Sequence, residues 1–482
     1  MPTASTASRD SRWLALTVLC LGVLMIVLDT TIVNVALPSI RADLGFSEAT
    51  LAWVVNAYVL TYGGFLLLGG RLGDLFGHRR LFLLGLTLFT VASLACGMAH
   101  SREWLVIARG IQGLGGAVVT AVALSLIMDL FTEPAERAKA MGVYGFVCAG
   151  GGSVGVLLGG LLVSTLSWHW VFLVNLPIGL AVFAASLRLL PAMHGSSDMR
   201  HLDVGGALAV TAALILAVYA VVGGNEAGWL SARTLGMLAG AAMLFVLFLA
   251  IEARVRAPLV PLTLFRLRNL AIANVVGVLW AGAMFAWFFL SALYLQLVLG
   301  YGPMQVGLAF LPGNLVMAAC SLGLSARIVM RFGIRRPLAG GLLVAAMGLA
   351  LFARAPADGR FLIDVLPGMV LLGLGAGIAF NPVLLAAMGD VQPRDSGLAS
   401  GVVNTAFMMG GALGLAVLAS LAAARTGAAL DAGAAQAVAL NMGYRTAFLA
   451  GTGFALLAAL LGGTLLRPRP ALASGDAPAA AH

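Results

Sequence analysis

Long apolar runs separated by short, Arg-rich polar loops make up most of the chain from Trp13 to Leu465. A hydrocarbon core about 30 Å thick takes about 20 helical residues to cross. Runs of that kind recur at about 13–37, 51–70, 81–99, 104–128, 140–162, 170–190, 203–222, 235–253, 270–299, 305–326, 337–354, 362–388, 399–421 and 444–465. They are continuous and not alternating, which predicts helices and not the strands of a membrane barrel. In lipid each backbone polar group must be satisfied inside the protein, and a helix does this within its own segment. The pattern therefore predicts an all-α integral membrane protein of fourteen transmembrane helices. The stretch at 270–299 is long enough to tilt or to finish in an interfacial turn.

Charge placement sets the orientation. With both termini cytoplasmic, twenty of the 28 basic residues fall on the inner side and seven on the outer side, with Arg109 inside a span. This is the positive-inside bias. A missed or extra span would invert every loop downstream, so the bias supports the count. It also predicts a multi-pass protein of the cell (inner) membrane with cytoplasmic termini. The net charge of +9 would raise nucleic acid as a partner for a soluble chain. Here the basic residues sit in loops between spans, so the expected partner is the lipid bilayer and no nucleic acid. Composition agrees: 61% of the 482 residues are hydrophobic and 10% charged, against about 25% charged in soluble domains. The first apolar run follows Arg9 and Arg12 but continues through Asp29 and Asn34 with no cleavage pattern, so it reads as a retained first span.

An internal repeat divides the chain. Residues 70–80 read GRLGDLFGHRR and residues 326–336 read ARIVMRFGIRR. At one offset Arg71 matches Arg327, Phe76 matches Phe332, Gly77 matches Gly333, and Arg79 and Arg80 match Arg335 and Arg336. Each copy follows a span that leaves on the cytoplasmic side. Two six-helix halves related by a parallel repeat are a transporter architecture with the substrate path between them. The expected domains are an N-terminal six-helix bundle over 1–190, an inserted helix pair over 191–260 and a C-terminal six-helix bundle over 261–482.

Ionisable groups inside spans carry the strongest chemical signal, because each costs about 2.5–3.5 kcal/mol at a helix centre on insertion scales. Asp29 and Arg109 are the two that lie clearly within spans, at similar depths from the outer side. They are the expected proton-coupling residues; a fixed ion pair that only stabilises the fold is the other reading. The loop at 70–80 is the expected cytoplasmic gate, with Gly73 and Gly77 permitting a tight turn, Asp74 near a helix start, and Arg71, Arg79 and Arg80 able to bridge acidic groups or lipid phosphates. Its plainer reading is a solvated basic loop that sets topology. Gly151, Gly155, Gly159 and Gly160 leave one face of the fifth span without side chains, so another helix can approach closely. Gly373 and Gly377 repeat that spacing more weakly. No glycine run carries a P-loop Lys. The six histidines show no metal-ligand spacing, and no nucleophile–base set stands out. The reading is of a protein that is no enzyme and holds no metal or cofactor. Cys20, Cys96, Cys148 and Cys320 all lie in apolar runs and read as packing.

These residues resemble the major facilitator superfamily. Residues 70–80 look like its signature between helices 2 and 3, and Arg109-Gly110-Ile111-Gln112-Gly113 with Gly115 and Gly116 looks like its helix 4 signature. The span 5 glycines are similar to the helix 5 signature of its antiporters. LDTTIVNVALP at 28–38, SWHWVFLVNLPIG at 167–179 and GLASGVVNT at 397–405 look like the fourteen-helix drug:proton antiporter branch, the QacA/EmrB type. The resemblance implies alternating access between two bundles, with efflux driven by a proton gradient. It implies Asp29 as the proton site, Arg109 as its coupling partner, and Arg71 and Asp74 as part of a cytoplasmic latch. The chain departs from the pattern at Val156, where the helix 5 signature usually has Pro, at His169, where Arg is usual, and at Phe407 and Met408, where polar or basic residues are common.

The expected cavity is apolar and aromatic, with Trp53, Tyr58, Trp280, Trp287 and Tyr294 as walls and Asn34, Asn56, Gln112, Asn381 and Asn404 as polar anchors. With Asp29 the one clear intramembrane acid, a bulky, neutral or weakly charged amphiphile is the expected substrate, exchanged for protons by a functional monomer. The alternatives are a dedicated transporter of one metabolite and a non-transporting membrane sensor with the same fold.

Overall fold

The apolar runs become long helices in the computed structural model of the chain, which describes residues 9–190, 203–255, 258, 260, 262–391 and 396–467. The side chains of Arg71 and Asp74 lie outside the described residues. So do most of the junctions where the two expected domain boundaries fall. In chain order the helices are α1 (Arg9–Leu44), α2 (Trp53–Phe76), α3 (His78–Gly97), α4 (Arg102–Leu130), α5 (Pro134–Thr165), the short α6 (Trp170–Leu173), α7 (Asn175–Leu189), α8 (Val204–Ala227) and α9 (Ala232–Glu252). They continue as α10 (Arg268–Leu293), α11 (Pro303–Ala319), α12 (Ser325–Phe332), α13 (Arg335–Phe352), α14 (Leu366–Met388), α15 (Ser396–Asp431) and α16 (Gln436–Leu465). Among the described residues, 12 helices are long and apolar enough to cross a membrane. Val154–Thr165 and Pro303–Ala319 are shorter apolar stretches, each part of a longer rod. The first is the end of α5, and the second runs on through a π-helical turn at Cys320–Leu324 into α12.

Local sequence fixes the helix ends. Ser101 and Ser231 accept the Trp104 and Thr234 amides at 3.2 Å, and Asp203 accepts the Gly206 amide at 2.7 Å, each satisfying an amide with no partner in its own helix. At the turns after α2 and α12 the chain must reverse at once, and it does so through Gly77 at φ 91° and Gly333 at φ 74°, a region open to glycine. The repeat read in the sequence is thus also a repeat of backbone geometry. Helix α10 finishes in a π-helical turn at Tyr294–Val298, within the 270–299 run that is long enough to end in a turn.

Helices α4, α5 and α7 each pack against α1, with α2 and α3 against α4. Helices α10, α13, α14, α15 and α16 form a second set joined by α11. The sets meet where α5 lies along α11, α2 along α15 and α1 against α10. The α8–α9 pair lies against α2 and α15. The Tyr444 hydroxyl on α16 donates to Glu48 in the α1–α2 loop at 3.3 Å, and Glu48 also pairs with Arg41. Burial raises the Glu48 pKa, and Arg41 and the Tyr444 bond pull it back.

Lipid tails are as apolar as the helices, so close van der Waals packing holds the bundle. Glycines set how close the helices come. A Cβ on Gly373 in α14 would lie 2.1 Å from the Gly313 carbonyl oxygen of α11, and one on Gly377 would lie 2.6 Å from the Met317 oxygen. The weak spacing in the sequence therefore marks a real contact between two backbones. The clash is with main chain, which cannot swing aside, so Gly373→Ala is expected to destabilise the protein by about 1–3 kcal/mol. Gly340 faces open space, and Gly340→Ala is expected to gain about 0.5–1 kcal/mol from helix propensity. Thermal unfolding in detergent compares the two; equal melting temperatures for both variants would contradict the packing.

Candidate functional site

Helix α4 carries Arg109 and Gln112 three residues apart, so both project from one face. That face can approach α2 because Gly113 has no side chain: a Cβ there would sit 2.3 Å from the Tyr58 carbonyl oxygen. A Cβ on Gly115 would sit 2.6 Å from the Phe89 amide of α3. These approaches bring Arg109 against α1, where Asp29 sits. Both side chains are fully buried, and Arg109 Nη1 donates to Asp29 Oδ2.

The pair is set in a polar cluster built by four helices. Gln112 Nε2 donates to Asp29 Oδ1 at 2.7 Å and to Ser93 Oγ of α3 at 2.8 Å. Asn175 Nδ2, at the start of α7, donates to Asp29 Oδ1 at 3.0 Å and to Ser93 Oγ at 3.4 Å. Gln112 Oε1 accepts from Arg109 Nη1 at 2.6 Å and faces the Cys96 thiol at 3.7 Å. Arg109 Nε donates to the Val54 carbonyl at 2.9 Å, and the guanidinium stands 4.4 Å from the Tyr58 ring centre, a cation–π contact. Every partner of Asp29 is a donor, which matches an acceptor-only carboxylate. Arg109 Nη2 has no hydrogen-bond partner among the described residues.

Arg109 also lines a cavity of about 280 Å³ between the two helix sets. Thr30, Thr31 and Asn34 of α1 and Tyr58 and Tyr62 of α2 form its polar side. Met284, Phe285 and Phe288 of α10 with Phe407 and Met408 of α15 form its apolar side. Of the expected cavity residues, Asn34 and Tyr58 are in this wall. The others are placed elsewhere. Gln112 belongs to the buried cluster behind Arg109. Asn381 donates to the Ser321 carbonyl at 2.9 Å, supplying a donor where the π-helical turn disturbs the helical ladder. Tyr294 donates to the Pro356 carbonyl at 2.8 Å. Trp280 and Trp287 are buried behind the wall, Trp287 against Phe288 and Phe310. Trp53 lines a separate cavity of about 240 Å³ with Tyr219 and Arg233, Asn404 is exposed, and Asn56 is buried with no partner for its amide among the described residues.

The expected gate is divided. The Gly77 amide bonds the Gly73 carbonyl at 3.0 Å, and a Cβ on Gly73 would meet the His78 ring at 2.8 Å. Arg79 does not reach an acidic group but donates to the Leu187 carbonyl of α7, within its own helix set. Its repeat partner Arg335 does the same to the Gly463 carbonyl of α16. Each arginine satisfies a carbonyl near a helix end that lacks an amide partner. Arg80 is exposed. His78, which the sequence left without a role, meets Asp129 at 3.0 Å. In α5, added Cβ atoms on Gly151, Gly155 and Gly159 would strike α1, with Gly155 2.1 Å from Thr31 Oγ1, while Gly160 meets the Pro303 carbonyl of α11 at 2.8 Å. Helix α5 runs unbroken through Val156. His169 stacks on Trp168 at 3.7 Å, and burial lowers its pKa.

Sequence reasoning missed Ser93, Asn175 and the aromatic and Met residues of the cavity wall. Asn175 stood inside the 167–179 motif, whereas Ser93 had no signal, being a small hydroxyl in an apolar run.

Comparisons place this geometry in a family. The model of the Major Facilitator Superfamily matches residues 19–415, and the chain belongs to that superfamily, as a multi-pass membrane protein. It is 40% identical over 466 residues to the puromycin resistance protein pur8 of Streptomyces alboniger, covering 95% of this chain and 92% of that one. It is 38% identical over 485 residues to the cephamycin export protein CmcT of Amycolatopsis lactamdurans, covering 100% and 97%. A solved structure of a bacterial homolog of the human lysosomal transporter Spinster, inward-facing and unoccupied, shares the fold with a TM-score of 0.66 at 18% identity, covering 95% and 97%.

Removing one member of a buried ion pair strands the other, at a cost of about 3–5 kcal/mol. Arg109→Met alone is therefore expected to lower the melting temperature in detergent more than Arg109→Met combined with Asp29→Asn. A double variant less stable than the single one would contradict the pairing.

Proposed function

We propose that this protein is a proton-coupled exporter of amphiphilic drugs, antibiotics or secondary metabolites that works by alternating access. The observation that carries the proposal is that one guanidinium belongs to two sites, pairing with Asp29 and lining the cavity between the helix sets. A proton taken by Asp29 removes the charge that holds Arg109. Arg109 then relaxes toward the cavity, and the α1–α4 contact loosens. Substrate entering the cavity acts on the same guanidinium from the other side. Proton and substrate are thereby coupled through one side chain, with the proton gradient as energy source and no cofactor.

The architecture that accompanies this reading is the fourteen-helix antiporter of the QacA/EmrB type, lying in the inner membrane with both termini cytoplasmic. Residues 1–190 and 261–482 form two pseudo-symmetric six-helix bundles, and 191–260 is an inserted pair. The similarity of the Gly77 and Gly333 turns, and of the Arg79 and Arg335 carbonyl contacts, supports the repeat. The α5 glycines let α5 lie on α1 and α11 as the bundles rock. The loop around Gly73 and Gly77, with Arg71 and Asp74, acts at the cytoplasmic gate, and a monomer suffices.

A dedicated exporter of one metabolite is the second reading, favoured by relatives whose names specify one compound, puromycin or cephamycin. Wild type and Asp29→Asn, brought to equal membrane levels in an efflux-deficient bacterium, separate the readings by growth against a panel of dyes and antibiotics. Protection against several unrelated amphiphiles, lost in Asp29→Asn, is expected. Protection against one compound would move the assignment to the dedicated exporter, and undiminished protection by Asp29→Asn would sink the coupling role.

A further inference from the structure

We infer that the cavity selects substrates carrying an acceptor group of acidic character, a carboxylate or phenolate on an apolar, aromatic body, and disfavours cationic amphiphiles. The inference rests on the proposed exporter reading and names the substrate class of that same cavity.

The cavity has two unlike ends. Among its described lining residues the single charged one is Arg109, and no carboxylate lines it. Asp29 is shielded from it: its oxygens are taken by Arg109, Gln112 and Asn175. A cation entering the cavity would therefore meet the guanidinium and not the carboxylate. Arg109 itself is fully buried, yet Nη2 has no hydrogen-bond partner among the described residues while Nε and Nη1 are committed. A donor left uncommitted on a guanidinium that lines the cavity is open to an acidic acceptor, which would meet it with a charge-assisted bond. Tyr58 adds a second donor of this kind, with a buried hydroxyl that bonds no described group. The opposite end offers the rings of Phe285, Phe288 and Phe407 and the flexible side chain of Met408, which suit a flat apolar body of variable outline.

An anionic head on Arg109 competes with Asp29 for the guanidinium. Substrate binding would therefore weaken the Asp29–Arg109 pair.

Three fluorescent probes of one shape test this with purified protein in detergent: anthracenecarboxylate, anthracenecarboxamide and anthracenemethylammonium. Kd is measured for each at neutral pH without any gradient. The carboxylate is expected to bind about tenfold tighter than the ammonium, the size of one charge-assisted hydrogen bond, with the amide between. Met408→Glu, which puts an acid of similar length into the wall and leaves Arg109 untouched, is expected to reverse the order. The inference is overturned if wild type binds the ammonium as well as or better than the carboxylate, or binds none of the three. A separate arm loads proteoliposomes with the tightest probe and imposes a pH gradient. Gradient-driven movement of an ammonium probe would overturn the selectivity while keeping the exporter. A preferred carboxylate that no gradient moves would keep the selectivity and overturn the exporter.

Discussion

One carboxylate and one guanidinium buried together in an apolar helix bundle set the terms for the structure around them. Neither Asp29 nor Arg109 can be left alone there without a cost of several kcal/mol. The fold meets that requirement with a shell of neutral groups. Gln112 and Asn175 donate to Asp29 and are themselves held by Ser93, and Val54, Gln112 and the Tyr58 ring take up most of the guanidinium. Helices α2, α3, α4 and α7 contribute to the shell around the Asp29 of α1, so a change in the charge of Asp29 would bear on all five. This is how a proton, which has no bulk, can act on the packing of a bundle.

The close helix approaches follow from the same requirement. Hydrogen bonds between helices form at a few ångströms only if the backbones are near, and glycine allows this. Gly113 and Gly115 bring α4 onto α2 and α3, and Gly151, Gly155 and Gly159 bring α5 onto α1. The wall that the second helix set contributes to the cavity is different. It is built of rings and thioethers, which contact one another without specific bonds and can slide. The polar bonds of the Asp29–Arg109 cluster thus stand on one side of the cavity and a wall of rings and thioethers on the other.

Much of this was legible in the chain. The length of the apolar runs marked the helices and their order along the chain. The expense of charge in lipid singled out Asp29 and Arg109, and the structure brings them together. The turn at Gly77 and its copy at Gly333 were legible because a left-handed turn demands glycine. Facing was not. A helix that is apolar on every side has no hydrophobic stripe to say which way it looks. Hence Trp287, Asn381 and Gln112 were expected in the cavity and lie behind it or elsewhere, while Phe285, Phe288 and Met284 line it. Arg79 was read as free to bridge charges, and nothing in the sequence could show the unsatisfied carbonyl of Leu187 beside it.

The central claim is that Asp29 carries the proton that drives the substrate. Its most direct test is internal pH in proteoliposomes loaded with a pH-sensitive dye, after addition of the compound against which the wild type protects cells best. Wild-type protein is expected to move protons only when that compound is present, while Asp29→Asn still binds the compound but moves none. Substrate-dependent proton movement in Asp29→Asn at the wild-type rate would contradict the account.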